Sequence, residues 1–141
     1  MINQSVLLSL TPADAFDLFT REISQWWPPD RRHLNDANSQ LFLLADGRFY
    51  ERASNGTELD LGRVRLWDAP RRIVLDFYIG TDVAHPTEVE IRFDVEGDGT
   101  RVSVNHRPQE SSIDLWNKRA AMFARSWESV LSALQGAALI K

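Results

Sequence analysis

Glu51 is the first of two residues in this sequence whose type and position could do chemistry. It lies between Tyr50 and Arg52 in a stretch that alternates as a strand does. A carboxylate that projected into an apolar cavity could bind a polar ligand group or act as a base. Alternatively, Glu51 is solvated or pairs with Arg48 or Arg63 across a sheet. The sequence leaves both roles open.

His106 is the second candidate. It has the same strand parity as Val102 and Val104, which predicts a side chain that points toward the core. There it could anchor a ligand or transfer protons near neutral pH, or it could be a hydrogen-bonded structural residue. His33 and His85 lie in turn-rich segments with no H-x-x-x-H spacing. We therefore expect no metal site and no cofactor.

Aromatic and basic pairs complete the candidates. Trp26-Trp27 precedes two prolines and could line the mouth of a pocket, present a surface to a partner, or pack beneath a sheet edge. The pairs Arg31-Arg32 and Arg71-Arg72 are isolated, so they are solvated surface residues, or one pair guards a cavity entrance and attracts an anionic ligand. Neither a nucleophile motif nor a phosphate-binding glycine loop occurs. The sequence therefore predicts no catalytic residue.

Composition narrows the function further. The chain has 141 residues, 43% of them hydrophobic, which predicts one domain over residues 1–141 with a substantial core. Its net charge of −4 and lack of a basic run argue against nucleic-acid binding. It contains no cysteine, and no apolar run is long enough to span a membrane. These features lead us to expect a cytoplasmic protein without a membrane association.

The elements that position these residues can be predicted from periodicity. Asp46-Gly47 and Gly97-Asp98-Gly99 are typical hairpin turns. Alternation predicts strands over residues 4–10, 40–45, 48–53, 59–68, 71–79, 88–95 and 101–107.

A helical segment follows the first strand. Thr11 is a typical N-cap, and Phe16, Phe19 and Ile23 form the apolar stripe of one helix or of two short ones. The segment Pro28–Ser39 begins with two prolines, which end the helix, and its polar residues predict a loop.

A second, much longer helix is predicted from Ser111 to Gly136. Ser111 could cap its start, and Gly136 suits the left-handed residue beyond its end. Apolar residues recur at steps of three and four along its length: Trp116, Ala120, Phe123, Trp127, Val130, Leu131 and Leu134. Such a stripe needs a large apolar surface to cover.

The order of elements predicts an α+β fold. Short turns join about six or seven strands, so the sheet should be antiparallel. A sheet of this size can curl around the long C-terminal helix, with one or two short helices after the first strand. This arrangement is a helix-grip fold.

Short segments in a characteristic order link the chain to a known group of proteins: residues 26–27, 47–51, 62–64, 67–74, 87–93, 97–100, 102–106, 126–128 and 130–131. Together they resemble the START-like (SRPBCC) helix-grip superfamily, in the branch of activators of the heat-shock protein 90 ATPase. The resemblance implies an apolar cavity between the sheet and the long helix. It implies no universal catalytic residue, because members range from ligand binders to a few enzymes.

The leading hypothesis is a small non-catalytic protein that holds an apolar or aromatic molecule in that cavity. The expected ligand-binding residues follow from strand and helix parity: Phe49, Glu51, Leu75, Phe77, Val89, Ile91, Phe93, Val104, His106, Trp116, Phe123 and Trp127.

Two other functions stay open. One is a chaperone co-factor-like or stress-response module without a ligand. The resemblance implies a separate N-terminal domain in the family's chaperone co-factors, and we expect this protein to be without it, which argues against direct chaperone activation. The other is a cyclase, dehydratase or hydrolase of aromatic or polyketide-like compounds. A homodimer is possible through exposed strand edges.

Overall fold

Seven antiparallel strands form one sheet in the computed structural model, which describes residues 1–141. The sheet order is β1-β7-β6-β5-β4-β3-β2. The strands are β1 (Ile2–Leu8), β2 (Gln40–Leu43), β3 (Arg48–Arg52), β4 (Glu58–Asp68), β5 (Arg72–Phe77), β6 (Thr87–Glu96) and β7 (Gly99–Pro108). The helices are α1 (Pro12–Phe19), α2 (Ile23–Trp26) and α3 (Ile113–Ala138). The predicted α+β helix-grip fold is confirmed.

The concave face of the sheet carries the core. Side chains alternate between buried and more exposed along β5 and β6, as the sequence predicts. Bulges interrupt the pairing of β4 with both neighbours, which bends the sheet. At this bend only a glycine fits position 62, because a Cβ there would lie 2.4 Å from the carbonyl oxygen of Asp76.

Helix α1 fills the space at one end of the concave face. Thr11 caps it by accepting a hydrogen bond from the backbone N–H of Asp14. Its buried rings Phe16 and Phe19 pack on Phe93 of β6, with ring centroids 5.1 and 5.9 Å apart. This end of the core is therefore solid.

Helix α3 covers the rest of the concave face over 26 residues. Its predicted ends are wrong by two residues each. A short turn over Glu110–Ser112 precedes it, and Gly136 is an ordinary helical residue without a positive φ. The helix continues because Ala137 and Ala138 favour helix and pack against the core. None of the helices has both the length and the apolarity needed to cross a membrane.

Candidate functional site

A cavity of about 430 Å³ lies between the end of β5, the loop after α2 and one side of α3. Its apolar lining consists of Trp27, Phe77, Ile79, Met122, Phe123, Trp127 and Val130. Its polar lining consists of Asp30, Arg31, Arg32, His33, Gly80, Thr81, Arg119 and Ser126.

Aromatic rings form the floor of the cavity. Trp127 of α3 lies with its ring centroid 5.6 Å from that of Phe77 and 6.4 Å from that of Trp27. The indole N–H of Trp27 donates to the carbonyl oxygen of Arg31 at 3.3 Å, so its polar atom already has a partner within the protein. The floor therefore offers ring faces and edges to a ligand.

The loop between α2 and β2 forms one wall, and Arg32 holds this loop in place. Its guanidinium donates to the carbonyl oxygens of Ser39 at 2.6 Å, Ser24 at 2.7 Å and Trp27 at 3.2 Å. Burial lowers the pKa of Arg32, and the nearby carboxylate of Glu51 offsets part of this effect. The wall is thus tied to α2 and to the start of β2.

Glu51 holds the same wall from the sheet. Its carboxylate is fully buried and accepts hydrogen bonds from the backbone N–H groups of His33 at 2.8 Å and Leu34 at 3.0 Å. It does not line the cavity and makes no ion pair with Arg48 or Arg63. The structure therefore gives Glu51 a role in positioning the loop.

His106 is the middle of a buried hydrogen-bond chain. The indole N–H of Trp127 donates to Nδ1 of His106 at 2.9 Å. Because an indole only donates, Nδ1 accepts, and the imidazole proton sits on Nε2. Nε2 donates to Oγ1 of Thr87 at 2.7 Å, and that hydroxyl donates to the carbonyl oxygen of Phe77 at 3.4 Å. Burial lowers the pKa of His106 to about 3, so the ring is neutral near pH 7.

Aromatic rings enclose the same imidazole. The ring centroid of His106 lies 4.4 Å from Phe123, 5.0 Å from Trp116 and 5.2 Å from Phe77. The space beneath Trp116 is therefore filled by His106. The chain of hydrogen bonds fixes the Trp127 indole that forms the cavity floor.

Gly80, in the segment after β5, also lines the cavity. Its φ of +81° is a conformation that favours glycine. A Cβ at this position would lie 2.5 Å from the Phe123 ring and 3.0 Å from the terminal methyl of Met122. The segment after β5 therefore packs directly on α3.

All of the sequence-predicted ligand-binding residues are buried. Three of them, Phe77, Phe123 and Trp127, come together in the cavity lining. The others lie in the core outside it: Phe49, Glu51, Leu75, Val89, Ile91, Phe93, Val104, His106 and Trp116.

Several lining residues escaped the sequence-based prediction. Arg119, Met122, Ser126 and Val130 recur at steps of three and four, which places them on one ridge beside the aromatic stripe. That spacing was the available signal, but a ridge with one cation and one serine is also typical of a solvated helix face. No group of three histidine, aspartate or glutamate side chains is placed to hold a metal ion.

Comparison with known proteins gives the family. Residues 9–138 match the activator of Hsp90 ATPase homolog 1-like proteins. The chain belongs to this family. A comparison with curated proteins gives no match. The family assignment agrees with the resemblance carried by the sequence segments and with the helix-grip fold.

Solved structures share the fold of this family member. CalC from Micromonospora echinospora, a self-sacrificing resistance protein, is 23% identical with a TM-score of 0.75, covering 97% of this chain and 92% of CalC. A Rhodobacter sphaeroides protein is 17% identical, with a TM-score of 0.70 and coverage of 99% and 92%. DynU16, a protein of the dynemicin biosynthetic locus, is 13% identical, with a TM-score of 0.62 and coverage of 95% and 45%. These likenesses establish the fold alone.

Proposed function

We propose that this family member is a non-catalytic binding protein that holds an apolar, aromatic small molecule in the cavity beside α3. The observation that carries the proposal is the aromatic floor of a cavity of about 430 Å³. Its volume falls within the range of pockets that enclose small molecules. Phe77, Phe123 and Trp127 are the predicted residues that we expect to contact the ligand, together with Trp27.

The hydrogen bonds of Glu51 and His106 favour a binding role over a catalytic role for these two residues. A general acid or base must reach the substrate by hydrogen bonding. The hydrogen bonds of Glu51 go to the loop backbone, and both ring nitrogens of His106 are engaged by Trp127 and Thr87. Neither side chain lines the cavity. The enzyme hypothesis would therefore need one of the titratable residues that do line the cavity, Asp30 or His33, as its acid or base.

The remaining sequence-based hypotheses stay predictions. A chaperone partner, a stress-response role, a homodimer and a cytoplasmic location each need their own experiment. Saturable binding to the middle domain of the chaperone by a protein whose cavity has been filled would favour the interaction-module hypothesis.

The proposal can be tested with N-phenyl-1-naphthylamine, a neutral aromatic probe that fluoresces strongly in apolar surroundings. We expect saturable binding to the purified protein. Ser126→Phe places a ring in the cavity and should abolish the binding, because Ser126 belongs to the lining. Ser132→Phe makes the same change at an exposed position of α3 outside this cavity and should leave binding unchanged.

Two results would contradict a binding function at this cavity. One is the absence of saturable probe binding to the unmodified protein. The other is equal binding by the Ser126→Phe and Ser132→Phe variants with both still folded, because the probe would then occupy another surface.

A further inference from the structure

Positive charge gathers at the cavity although the protein as a whole is acidic. The lining contains Arg31, Arg32 and Arg119 but a single carboxylate, Asp30. The whole chain has a net charge of −4. The cavity therefore differs in sign from the average surface, and a low-dielectric cleft strengthens the field of such charges.

Two of these arginines have no protein partner for their charge. Arg32 is occupied by three backbone carbonyls. Arg31 and Arg119 have no carboxylate within 4 Å, whereas arginines on the sheet, such as Arg101 and Arg107, are paired with glutamates. Nε of Arg31 is also buried without a hydrogen-bond acceptor. A buried donor without a partner is costly, which favours an acceptor supplied by a ligand.

The positions of the two side chains separate a charged end of the cavity from an apolar one. Arg119 is exposed and Arg31 half-buried, so both lie where the lining reaches solvent. The rings of Trp27, Phe77 and Trp127 are buried at the floor. An anion at the solvent end would stay partly hydrated, which limits its desolvation cost, while guanidinium groups could bind it with charge-assisted hydrogen bonds.

We infer that the ligand is an amphipathic anion, with an apolar aromatic body on the cavity floor and one carboxylate- or sulfonate-like group held by Arg31 and Arg119. This inference rests on the proposed binding function. Asp30 at the same end opposes an anion, so the two arginines must outweigh it. The matching ligand carries a single anionic group at one end of its ring system.

A matched pair of probes tests this inference. N-phenyl-1-naphthylamine is neutral, and 8-anilino-1-naphthalenesulfonate has the same ring system with one sulfonate. We expect the sulfonate to bind about tenfold more tightly at low salt, the gain of one charge-assisted hydrogen bond. Added salt should weaken binding of the sulfonate and leave the neutral probe unaffected.

Variants that remove a positive charge identify which arginines cause the preference for the sulfonate. Arg31→Gln and Arg119→Gln should each reduce the preference for the sulfonate, measured as the ratio of the two affinities, and the double variant should abolish it. Arg125→Gln is the control, because Arg125 is exposed on α3, lies outside the lining and has no ion pair. The Ser126→Phe variant should bind neither probe.

The outcomes distinguish the two proposals. If the neutral probe binds the unmodified protein as tightly as the sulfonate does, and salt changes neither affinity, the anionic class is wrong and the binding function stands. If the preference survives in the double variant, Arg31 and Arg119 are not its source and the inference fails. If neither probe binds in the cavity, the binding function itself fails. The salt titration uses unmodified protein, so it decides the matter even where a variant does not fold.

Discussion

The two sides of helix α3 differ in how they meet the rest of the molecule. On the filled side, defined by Leu131 and Leu134, α3 lies against β1 and α1. Both leucines are buried, and the side chain of Gln4 in β1 donates to the carbonyl oxygen of Ala124 at 2.8 Å. On the cavity side, defined by Arg119, Met122 and Ser126, the helix borders empty space.

The difference teaches what makes one part of a helix-grip core hollow. Secondary structure covers the filled side, and its side chains can interlock with those of α3. Two loop segments cover the cavity side, together with Phe77 at the end of β5. Arg32 and Glu51 fix the first of these by its backbone, and the second contacts α3 through Gly80, which has no side chain to insert. Neither segment supplies the atoms that would fill the cavity.

The largest expected difference between the two sides concerns truncation to alanine. Leu134→Ala on the filled side should lower the free energy of unfolding by about 3 kcal/mol, because it leaves a hole in a packed core. Met122→Ala on the cavity side should cost about 1 kcal/mol, since Met122 is half-buried beside existing space. Leucine and methionine have similar helix propensities, so the pair is matched. Equal losses in urea denaturation would mean that the cavity side is packed as well.

The pH dependence of stability tests whether the aromatic rings around His106 exclude water from its imidazole. Its pKa is about 3 in the folded protein against 6.5 in a free side chain. Between these pH values the unfolded chain binds more protons, so stability falls as the pH drops from 6.5 toward 3. At pH 5 the free energy of unfolding should be about 2 kcal/mol lower than at neutral pH because of this imidazole.

A variant isolates the contribution of His106 from that of the carboxylates. Between pH 7 and pH 5, the free energy of unfolding should fall by about 2 kcal/mol less in the His106→Gln variant than in the unmodified protein. Denaturant unfolding at the two pH values measures the difference. If the His106→Gln and unmodified proteins show the same dependence, the imidazole is accessible to water and the cluster is open.

Glu51 tests whether the loop wall depends on its two backbone hydrogen bonds. Glu51→Gln replaces one acceptor oxygen by an NH₂ group, which cannot accept from a backbone N–H. We expect a loss of about 1–2 kcal/mol in stability and weaker binding of N-phenyl-1-naphthylamine, because the loop loses a constraint. Glu128→Gln is the control at an exposed position of α3. Unchanged stability and affinity in Glu51→Gln would show that the wall is held by Arg32 alone.

Gly56 and Gly80 compare a glycine in open space with one that packs on the cavity lining. Gly56→Ala should lower the free energy of unfolding by about 1 kcal/mol because its φ is positive, and Gly80→Ala should lower it by about 1 kcal/mol more because its Cβ would also meet a buried ring. At Gly56 a Cβ would meet nothing within 4 Å, whereas at Gly80 it would displace Phe123. Only Gly80→Ala should therefore weaken probe binding in a fluorescence titration. Equal affinities in the two variants would place the bound probe away from Phe123.

The sequence predicts the fold better than it predicts the site, for a physical reason. Alternation along β6 and β7 reports which side chains point inward, so the burial of Phe93, Val104 and His106 follows from parity. Parity does not report whether neighbouring atoms fill the space beyond an inward ring. His106 and Trp116 meet each other, whereas Phe77 and Trp127 border the cavity.

Long-range contacts create the parts of the site that the sequence did not predict. The loop that forms the cavity wall is held by Glu51, 18 residues beyond His33, and nothing in the polar segment 28–39 specifies that partner. Arg119 likewise becomes part of the lining only through the path of the loops opposite α3. Such residues emerge from the assembled fold.

The most direct test of the cavity is a ¹H–¹⁵N titration that follows the indole N–H signals of the five tryptophans. Trp27 and Trp127 line the cavity, whereas Trp67 packs on Phe16 outside it, with ring centroids 5.2 Å apart. On addition of N-phenyl-1-naphthylamine, the signals of Trp27 and Trp127 should shift saturably while that of Trp67 stays in place. Shifts confined to Trp67, or no saturable shift at Trp27 and Trp127, would contradict a ligand-binding cavity beside α3.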